Sequence, residues 1–319
     1  EHSPIDVDLL HYGAYECGDN IIFVPYNKTK FISIYDKEKH FLTSIGMPEA
    51  SYGPSVKIEN NIYILTEKQN LLIFDTVNRI IYTDNYLSSL IKNVWNDNSN
   101  IRINTSDSSI IFVNSLNNNV VELNMANREK REMWIDNKYA DLMNIYYLEG
   151  KYWITRLNTP NLLSFEKDGR ITEYNYKEND IEWLSDIKLA YSQIVSMGDF
   201  LLLPGYYYNG VMILDHKRNN MYKIHLPDDY KVRNERGYGA TYRNVHRIND
   251  KVYIIPQRAN KLVVIDFFDN DLEYIDFSIE LDELPEYREY YKEKMQKEII
   301  TEGTSDYSTI DFFIEVVSS

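Results

Sequence analysis

The sequence predicts an all-β protein: a six-bladed β-propeller with four-stranded antiparallel blades and a C-terminal helical extension. Three observations predict it. A strand–turn–strand pattern recurs six times in 319 residues. Its period leaves room for four short strands per unit. A lone four-stranded sheet also cannot bury both of its faces, and radial stacking solves that while leaving only short edges.

The six segments are "NIIFVPYNKTKFISIYD", "NIYILTEKQNLLIFD", "SIIFVNSLNNNVVELN", "KYWITRLNTPNLLSFE", "DFLLLPGYYYNGVMILD" and "KVYIIPQRANKLVVID". Each is a short apolar strand, a polar turn and a second β-branched or Leu-rich strand. The second strand ends on an acidic or amide residue: Asp36, Asp75, Asn124, Glu166, Asp215 and Asp266. Successive end residues lie 39, 49, 42, 49 and 51 positions apart, 230 positions over five steps, a mean of 46. The end residue opens a turn ("DKEK", "DTVN", "NMANRE", "EKDG", "DHKRNN", "DFFDND") of turn-forming composition. A further strand follows: "HFLTSI", "RIIYTD", "KREMW", "RITEYNY", "MYKIHL", "LEYIDF". Several of these alternate apolar and polar residues. A fourth strand precedes each hairpin, in "YGAYEC", "GPSVKI", "NIRIN", "NIYYL", "SQIVSM" and "RNVHRI". Within a unit the strands run A-B-C-D outward from the axis. Unit length and strand count argue against a two-domain sandwich and against an extended β-solenoid.

This pattern resembles the broad class of bacterial six-bladed propellers with NHL-, YncE- or kelch-like repeats. The resemblance spans most of the chain and implies the propeller fold. It implies no particular activity, because its motif is generic: apolar strand, turn, strand ending in Asp. The WD dipeptide, the Gly-His signature and the kelch double glycine are absent. No catalytic residue is carried over. A composition rich in Ile, Asn, Lys, Tyr and Asp fits a low-GC bacterium.

The propeller is expected over residues 1–283 and the helical extension, packed on it, over 284–319. In "LPEYREYYKEKMQKEII", Pro285 suits a helix start. Leu284, Tyr287, Tyr291, Met295 and Ile299 make an amphipathic stripe. A second short helix is expected in "STIDFFIEVV", where Ser308 and Asp311 form a capping-box-like start. Two inserts between repeats, "NYLSSLIKNVWNDN" (Asn85–Asn98) and "KENDIEWLSDIKLA" (Lys177–Ala190), read as partly helical.

Charge narrows the partners. Lys and Arg number 34 against 49 Asp and Glu, a net charge of −15. No basic stripe is present, so nucleic acid is not an expected partner, nor is an anionic membrane surface. No apolar run reaches the roughly 18 residues of a membrane helix, so no membrane insertion is expected. Tyrosine is over-used, at 28 residues; it suits strands and offers an apolar ring with a polar tip. Cys17 is the sole cysteine, which rules out an internal disulfide. A cytoplasmic location is slightly favoured on that count. The chain begins at Glu1 rather than Met, which also fits a secreted or surface protein whose leader was removed. A monomer is expected.

Linear motifs for chemistry are missing. The six histidines show no HxH, HExxH or HxxxH spacing, and one cysteine excludes a thiolate zinc site. There is no GxSxG, P-loop or GxGxxG. "GYGATY" reads as an inter-blade loop, "DNDLEY" as a β-turn, and Ser89–Lys92 is an SxxK without companion motifs. No metal and no cofactor are expected.

Topology then nominates a site. In a propeller the B–C turns and the approaches to the inner strands share the face around the channel mouth. The B–C turns contribute Tyr26, Glu67, Asn114, Arg156, Tyr206, Tyr207, Gln257 and Arg258. The approaches contribute Tyr52, Asn144, Tyr191, Gln193, Tyr242, Arg243 and Asn244. Arginine forks suit carboxylate or phosphate, and tyrosine offers a stacking face with a hydroxyl. The expected function is recognition of a small anionic or carbohydrate-like ligand, or of a protein partner, at that mouth. The alternative is a propeller enzyme, a lyase or hydrolase acting on a sugar or lactone. Its acid–base candidates are Glu67, His11, His246 and the tyrosines of that set, the two histidines standing on innermost strands.

Overall fold

The computed structural model describes residues 11–25, 30–92, 103–114, 117–176, 183, 190–191, 193–208, 210–228, 242–248, 250–256, 261–266 and 271–276. Among the described residues the fold is all-β, with one short α-helix and one 3₁₀ turn (Asn137–Tyr139). The first sheet comprises β1 (His11–Cys17), β2 (Asn20–Pro25), β3 (Phe31–Asp36) and β4 (Phe41–Gly46). The second comprises β5 (Ser51–Ile58), β6 (Asn61–Thr66), β7 (Leu71–Asp75) and β8 (Ile80–Thr83), followed by α1 (Asn85–Ile91). The third comprises β9 (Ile103–Ser106), β10 (Ser109–Asn114), β11 (Asn119–Asn124) and β12 (Lys130–Trp134). The fourth comprises β13 (Leu142–Leu148), β14 (Lys151–Arg156), β15 (Leu162–Phe165) and β16 (Ile171–Tyr174). The fifth comprises β17 (Val195–Met197), β18 (Phe200–Pro204), β19 (Val211–Asp215) and β20 (Asn220–Lys223). The sixth comprises β21 (Tyr242–Ile248), β22 (Lys251–Pro256), β23 (Lys261–Asp266) and β24 (Asp271–Asp276). Each sheet is open, antiparallel and ordered as its strands run in sequence, which is the A-B-C-D order expected of the repeat. The chain divides into two compact units, one carrying β1–β16 and the other β17–β24.

Local chemistry explains why each unit folds so. The A–B hairpins are two-residue turns whose first residue takes a positive φ: Gly18 (60°), Glu59 (51°), Asp107 (50°), Glu149 (54°) and Gly198 (62°). That backbone matches the right-handed twist of the flanking strands. In four of the sheets the C–D turn uses the residue that ends the C strand. Asp36 Oδ1 accepts from the amides of Glu38 and Lys39 at 3.1 and 2.9 Å. Asp75 Oδ1 accepts from Val77 and Asn78, both at 2.9 Å. Asn124 Oδ1 accepts from Ala126 and Asn127 at 2.9 and 3.0 Å. Asp215 Oδ1 accepts from Arg218 at 3.0 Å. Four positions after each comes a left-handed residue: His40, Arg79, Arg128 and Asn219. The fourth sheet shortens the turn: Asp168 Oδ1 accepts from Arg170 at 3.0 Å, and Gly169 takes φ 92°. The acidic signature of the repeat is therefore an Asx turn that closes the outer hairpin.

Burial follows the strand position. Inner-hairpin strands are apolar almost without interruption, and β10 is buried at every residue. Both faces of such a strand are covered. Ile22, Ile34, Ile62 and Phe74 pack the first sheet on the second. Tyr63, Ile73, Phe112 and Leu123 pack the second on the third, with Leu87 and Ile91 of α1 closing that layer. Val113, Val120, Tyr152 and Phe165 pack the third on the fourth. In the other unit, Leu202, Val211, Val252 and Val263 pack the fifth sheet on the sixth. The helix expected within Asn85–Asn98 is realised as α1, with Asp84 as its N-cap. The C-terminal helices and most of Lys177–Ala190 lie outside the described residues.

Candidate functional site

The site begins with the fifth sheet's B–C loop, "PGYYYNG". Glycine is required at both of its ends. A Cβ on Gly205 would run into the carbonyl oxygens of Tyr208 and Gly210. Gly210 takes φ 154°, and a Cβ there would collide with Lys223 Cε. The Gly205 amide donates to the Gly210 carbonyl at 2.9 Å, closing the loop.

Gly205 also gathers neighbouring segments. Its carbonyl accepts from the Tyr242 amide at 3.2 Å, and its backbone bridges to Tyr191. The Tyr208 backbone bridges to Trp183 in the same way. Ring contacts follow the backbone. Tyr191 and Tyr208 meet edge-on with centroids 6.1 Å apart, and Trp183 meets Tyr208 at 6.5 Å. The Tyr208 hydroxyl donates to the Leu203 carbonyl at 3.3 Å, and the Tyr191 hydroxyl to Met221 Sδ at 3.5 Å. Tyr191, Tyr208 and Tyr242 are fully buried. Half-buried Tyr206 and Tyr207 stand at right angles with centroids 4.6 Å apart. Gln193 Oε1 accepts from the Val245 amide at 3.0 Å, which pins the approach of the fifth sheet to β21.

A register shift opens β21 between Tyr242 and Asn244, so Arg243 is the bulged residue. Equivalent shifts open β1 (His11/Gly13), β5 (Ser51/Ser55) and β13 (Leu142/Asn144). A bulge re-aims the strand at its entry and is frequent beside binding sites.

Of the residues nominated by the repeat, Tyr191, Gln193, Tyr207, Tyr242, Arg243 and Asn244 therefore fall together in this part of the fold. Glu67, Tyr52, Asn114, Asn144 and Arg156 belong to the other compact unit. Glu67 is exposed on the second sheet, its amide bonded to the Ala50 carbonyl at 3.2 Å. Beside it Glu49 accepts from Thr66 and Asn70 at 2.9 and 2.8 Å, holding that B–C turn. Tyr52 lies in the irregular opening of β5. Asn114 is buried, and its Oδ1 accepts from the Asn117 amide at 3.3 Å. Asn144 is buried too; its amide donates to Thr155 Oγ1 at 3.2 Å. Arg156 is engaged: its guanidinium donates to Glu173 Oε1 at 3.1 Å and to the Ala140 carbonyl at 3.2 Å, and lies 5.8 Å from the Tyr139 ring. Tyr26, Gln257 and Arg258 lie outside the described residues. His11 and His246 lie on β1 and β21. Among the described residues no group of three His, Cys, Asp or Glu side chains is arranged to hold a metal, and no helix is long and apolar enough to cross a membrane.

Sequence reasoning missed Tyr208 and Trp183. The first carried a signal, as the third tyrosine of a run bracketed by two glycines. Trp183 carried none, since its insert has no repeat partner.

No family model and no curated sequence relative matches the chain. Solved folds do. A streptogramin B lyase structure superposes with a TM-score of 0.59 at 15% identity, covering 86% of this chain and 87% of that one. A virginiamycin B lyase from Staphylococcus aureus gives 0.60 at 15% identity over the same shares. A catalytically inactive variant of that lyase with quinupristin gives 0.60 at 14%, covering 85% of each chain. At this identity the likeness is one of fold, and it assigns the chain to the broad β-propeller class.

Proposed function

We propose that the chain is a six-bladed propeller that binds a small anionic or carbohydrate-like ligand at the Gly205–Gly210 loop and the opening of β21. One observation carries this reading: the Gly205 backbone bonds to both Tyr191 and Tyr242, so the half-buried Tyr206 and Tyr207 that follow it and the bulged Arg243 belong to one neighbourhood. Tyrosine rings suit the apolar faces of a sugar, and an arginine fork suits a carboxylate. Arg156, already paired with Glu173, is assigned a bracing role.

Titration calorimetry with glucuronate, galacturonate, glucose and inorganic phosphate tests it. The uronates should bind best. Tyr207→Ala and Arg243→Ala should each weaken binding by about tenfold or more, equivalent to about 1.4 kcal/mol, and Arg156→Ala should leave it unchanged. No saturable binding by any probe, or full affinity in the Tyr207→Ala, Arg243→Ala double variant, would sink the proposal.

The second reading, a lyase or hydrolase on a sugar or lactone, is favoured by the fold likeness to the two lyases and by His246 on β21. Its test is product formation from quinupristin, with loss of turnover in His246→Ala. An inert wild-type protein would remove this reading for that substrate.

A further inference from the structure

The repeat allows each sheet to be compared with its siblings. Three positions meet at the corner where the B–C loop enters the C strand. The first lies five residues after the start of the B strand. The second lies five residues before the acidic or amide residue that closes the C strand. The third is the D-strand residue opposite the position three before that closing residue. In the third sheet these are Asn114, Asn119 and Glu132; in the fourth, Arg156, Asn161 and Glu173; in the fifth, Gly205, Gly210 and Lys223. Opposed residues, and residues two apart on a strand, share a face of the sheet, so the second and third positions are diagonal neighbours.

In the third and fourth sheets an amide meets a carboxylate across this diagonal. Asn119 Nδ2 donates to Glu132 Oε2 at 3.1 Å, and Asn161 Nδ2 to Glu173 Oε1 at 3.1 Å. The second sheet keeps the amide, and Asn70 Nδ2 reaches Glu49 Oε1 at 2.8 Å. The fifth sheet reverses the chemistry: the amide position is glycine and the carboxylate position is lysine. The two changes are coupled in space. Lys223 Cε fills the room that a side chain on Gly210 would need, and Lys223 Nζ lies 3.2 Å from where that Cβ would stand. The Tyr208 ring flanks the same point at 3.1 Å. Half-buried Lys223 therefore carries an ammonium to the foot of the loop that holds Tyr206 and Tyr207, whose ends the Gly205–Gly210 hydrogen bond draws together.

We propose that Lys223 is the residue that selects an anionic ligand at this loop, and that the anion it reads is the carboxylate of a sugar acid. The inference rests on the ligand-binding function proposed for the loop and names the group that sets its charge preference. A glutamate at this corner, as in the third and fourth sheets, repels a carboxylate; an ammonium attracts it. Glycine at 210 gives the lysine stem its passage, and the compact charge at the end of that flexible stem can follow the ligand. The neighbouring tyrosine rings offer their faces to the sugar.

The test compares glucuronate with glucose, its uncharged parent, by calorimetry on the full chain. Lys223→Met keeps the stem over Gly210 and removes the charge. Glucuronate affinity should fall about tenfold, glucose binding should be unchanged, and the weakening of glucuronate binding by NaCl should flatten. Lys223→Gln is a second neutral variant with the same expectation. Lys223→Arg keeps a cation and should keep most of the affinity, whereas Lys223→Glu, the residue of the sibling sheets, should reject glucuronate. Melting temperatures check that the variants fold. Wild-type affinity for glucuronate in the neutral variants overturns the proposal and leaves the ligand-binding function standing. An equal loss for glucose and glucuronate overturns it too, since the lysine would then be a prop for the loop. A wild-type protein that binds neither sugar removes both the proposal and the function on which it rests.

Discussion

At the scale of single residues, the acidic ends of the C strands are structural. Asp36 and Asp75 are held below the usual carboxylate range, chiefly by the hydrogen bonds they accept within their own turns. Asp168 is held down the same way by Arg170. A carboxyl whose folded pKa is depressed contributes stability above its unfolded value, which is lost as pH falls through the folded one. The melting temperature should therefore stay level from neutrality to about pH 5 and fall below about pH 4. Asp75→Asn, which keeps the acceptor without the charge, should shallow that fall; an unchanged acid limb would contradict the assignment. Asn124 makes the uncharged comparison. Asn124→Ala deletes two amide partners and should cost about 1 kcal/mol, with no change in pH dependence, as denaturant titration can check. Tyr15 marks the alkaline side. Burial raises its phenol to about 12, opposed by its hydrogen bond with Ser55 at 3.0 Å. The unfolded chain ionises nearer 10, so this contribution is complete below pH 10 and lost between pH 10 and 12. Tyr15→Phe should reduce alkaline destabilisation across that window, and tyrosinate absorbance should show a late-titrating phenol that the variant lacks.

At the scale of elements, the contact between β11 and β14 is the place to probe. Glu122 is 9% exposed, and its carboxylate accepts from the Tyr152 hydroxyl at 3.0 Å. Burial, with the Glu122 charge second, pushes that phenol well above its ordinary value. Tyr152→Phe removes the donor and leaves the carboxylate buried, an expected loss of about 1–3 kcal/mol. Adding Glu122→Gln should recover part of it; a harmless Tyr152→Phe would show that water satisfies the carboxylate instead. The elements also show how far the sequence could be read. Apolar runs bounded by Asp or Asn were sufficient to find the B and C strands, because burial of both faces forces a continuous apolar run. The third sheet's first strand was harder. It was expected in "NIRIN", of which residues 100–102 lie outside the described residues; the described strand, Ile103–Ser106, runs on to the two-residue turn at Asp107, which sets its register and which the apolar pattern does not encode. For the candidate site the sequence offers positions, and it does not encode their contacts. Nothing in the string separates Arg156, consumed by Glu173, from Arg243, carried on a bulge. Nor does it separate buried Tyr191 from half-buried Tyr207, because loop closure through Gly205 decides that.

At the scale of the whole molecule, charge is the governing quantity. The chain carries −15 with an isoelectric point near 4.9. Against that stand ion pairs that are mostly exposed, such as Lys217–Asp199 and Arg170–Asp168. Exposed pairs contribute roughly 0–1 kcal/mol each and weaken with salt. The net repulsion sums over the surface and weakens with salt as well, so the two effects oppose each other when NaCl is added. The screening length falls to about 8 Å at physiological ionic strength. The closest pairs, such as Arg128–Asp84 at 2.5 Å, lie well inside that length, while repulsion between distant carboxylates lies outside it. Salt should therefore remove more repulsion than attraction, and the melting temperature should rise from low to moderate NaCl at pH 7. The rise should shrink near the isoelectric point, where there is little net charge left to screen. A melting temperature that falls with salt at pH 7 would show that the local pairs, and not the acidic excess, dominate the electrostatics of the fold.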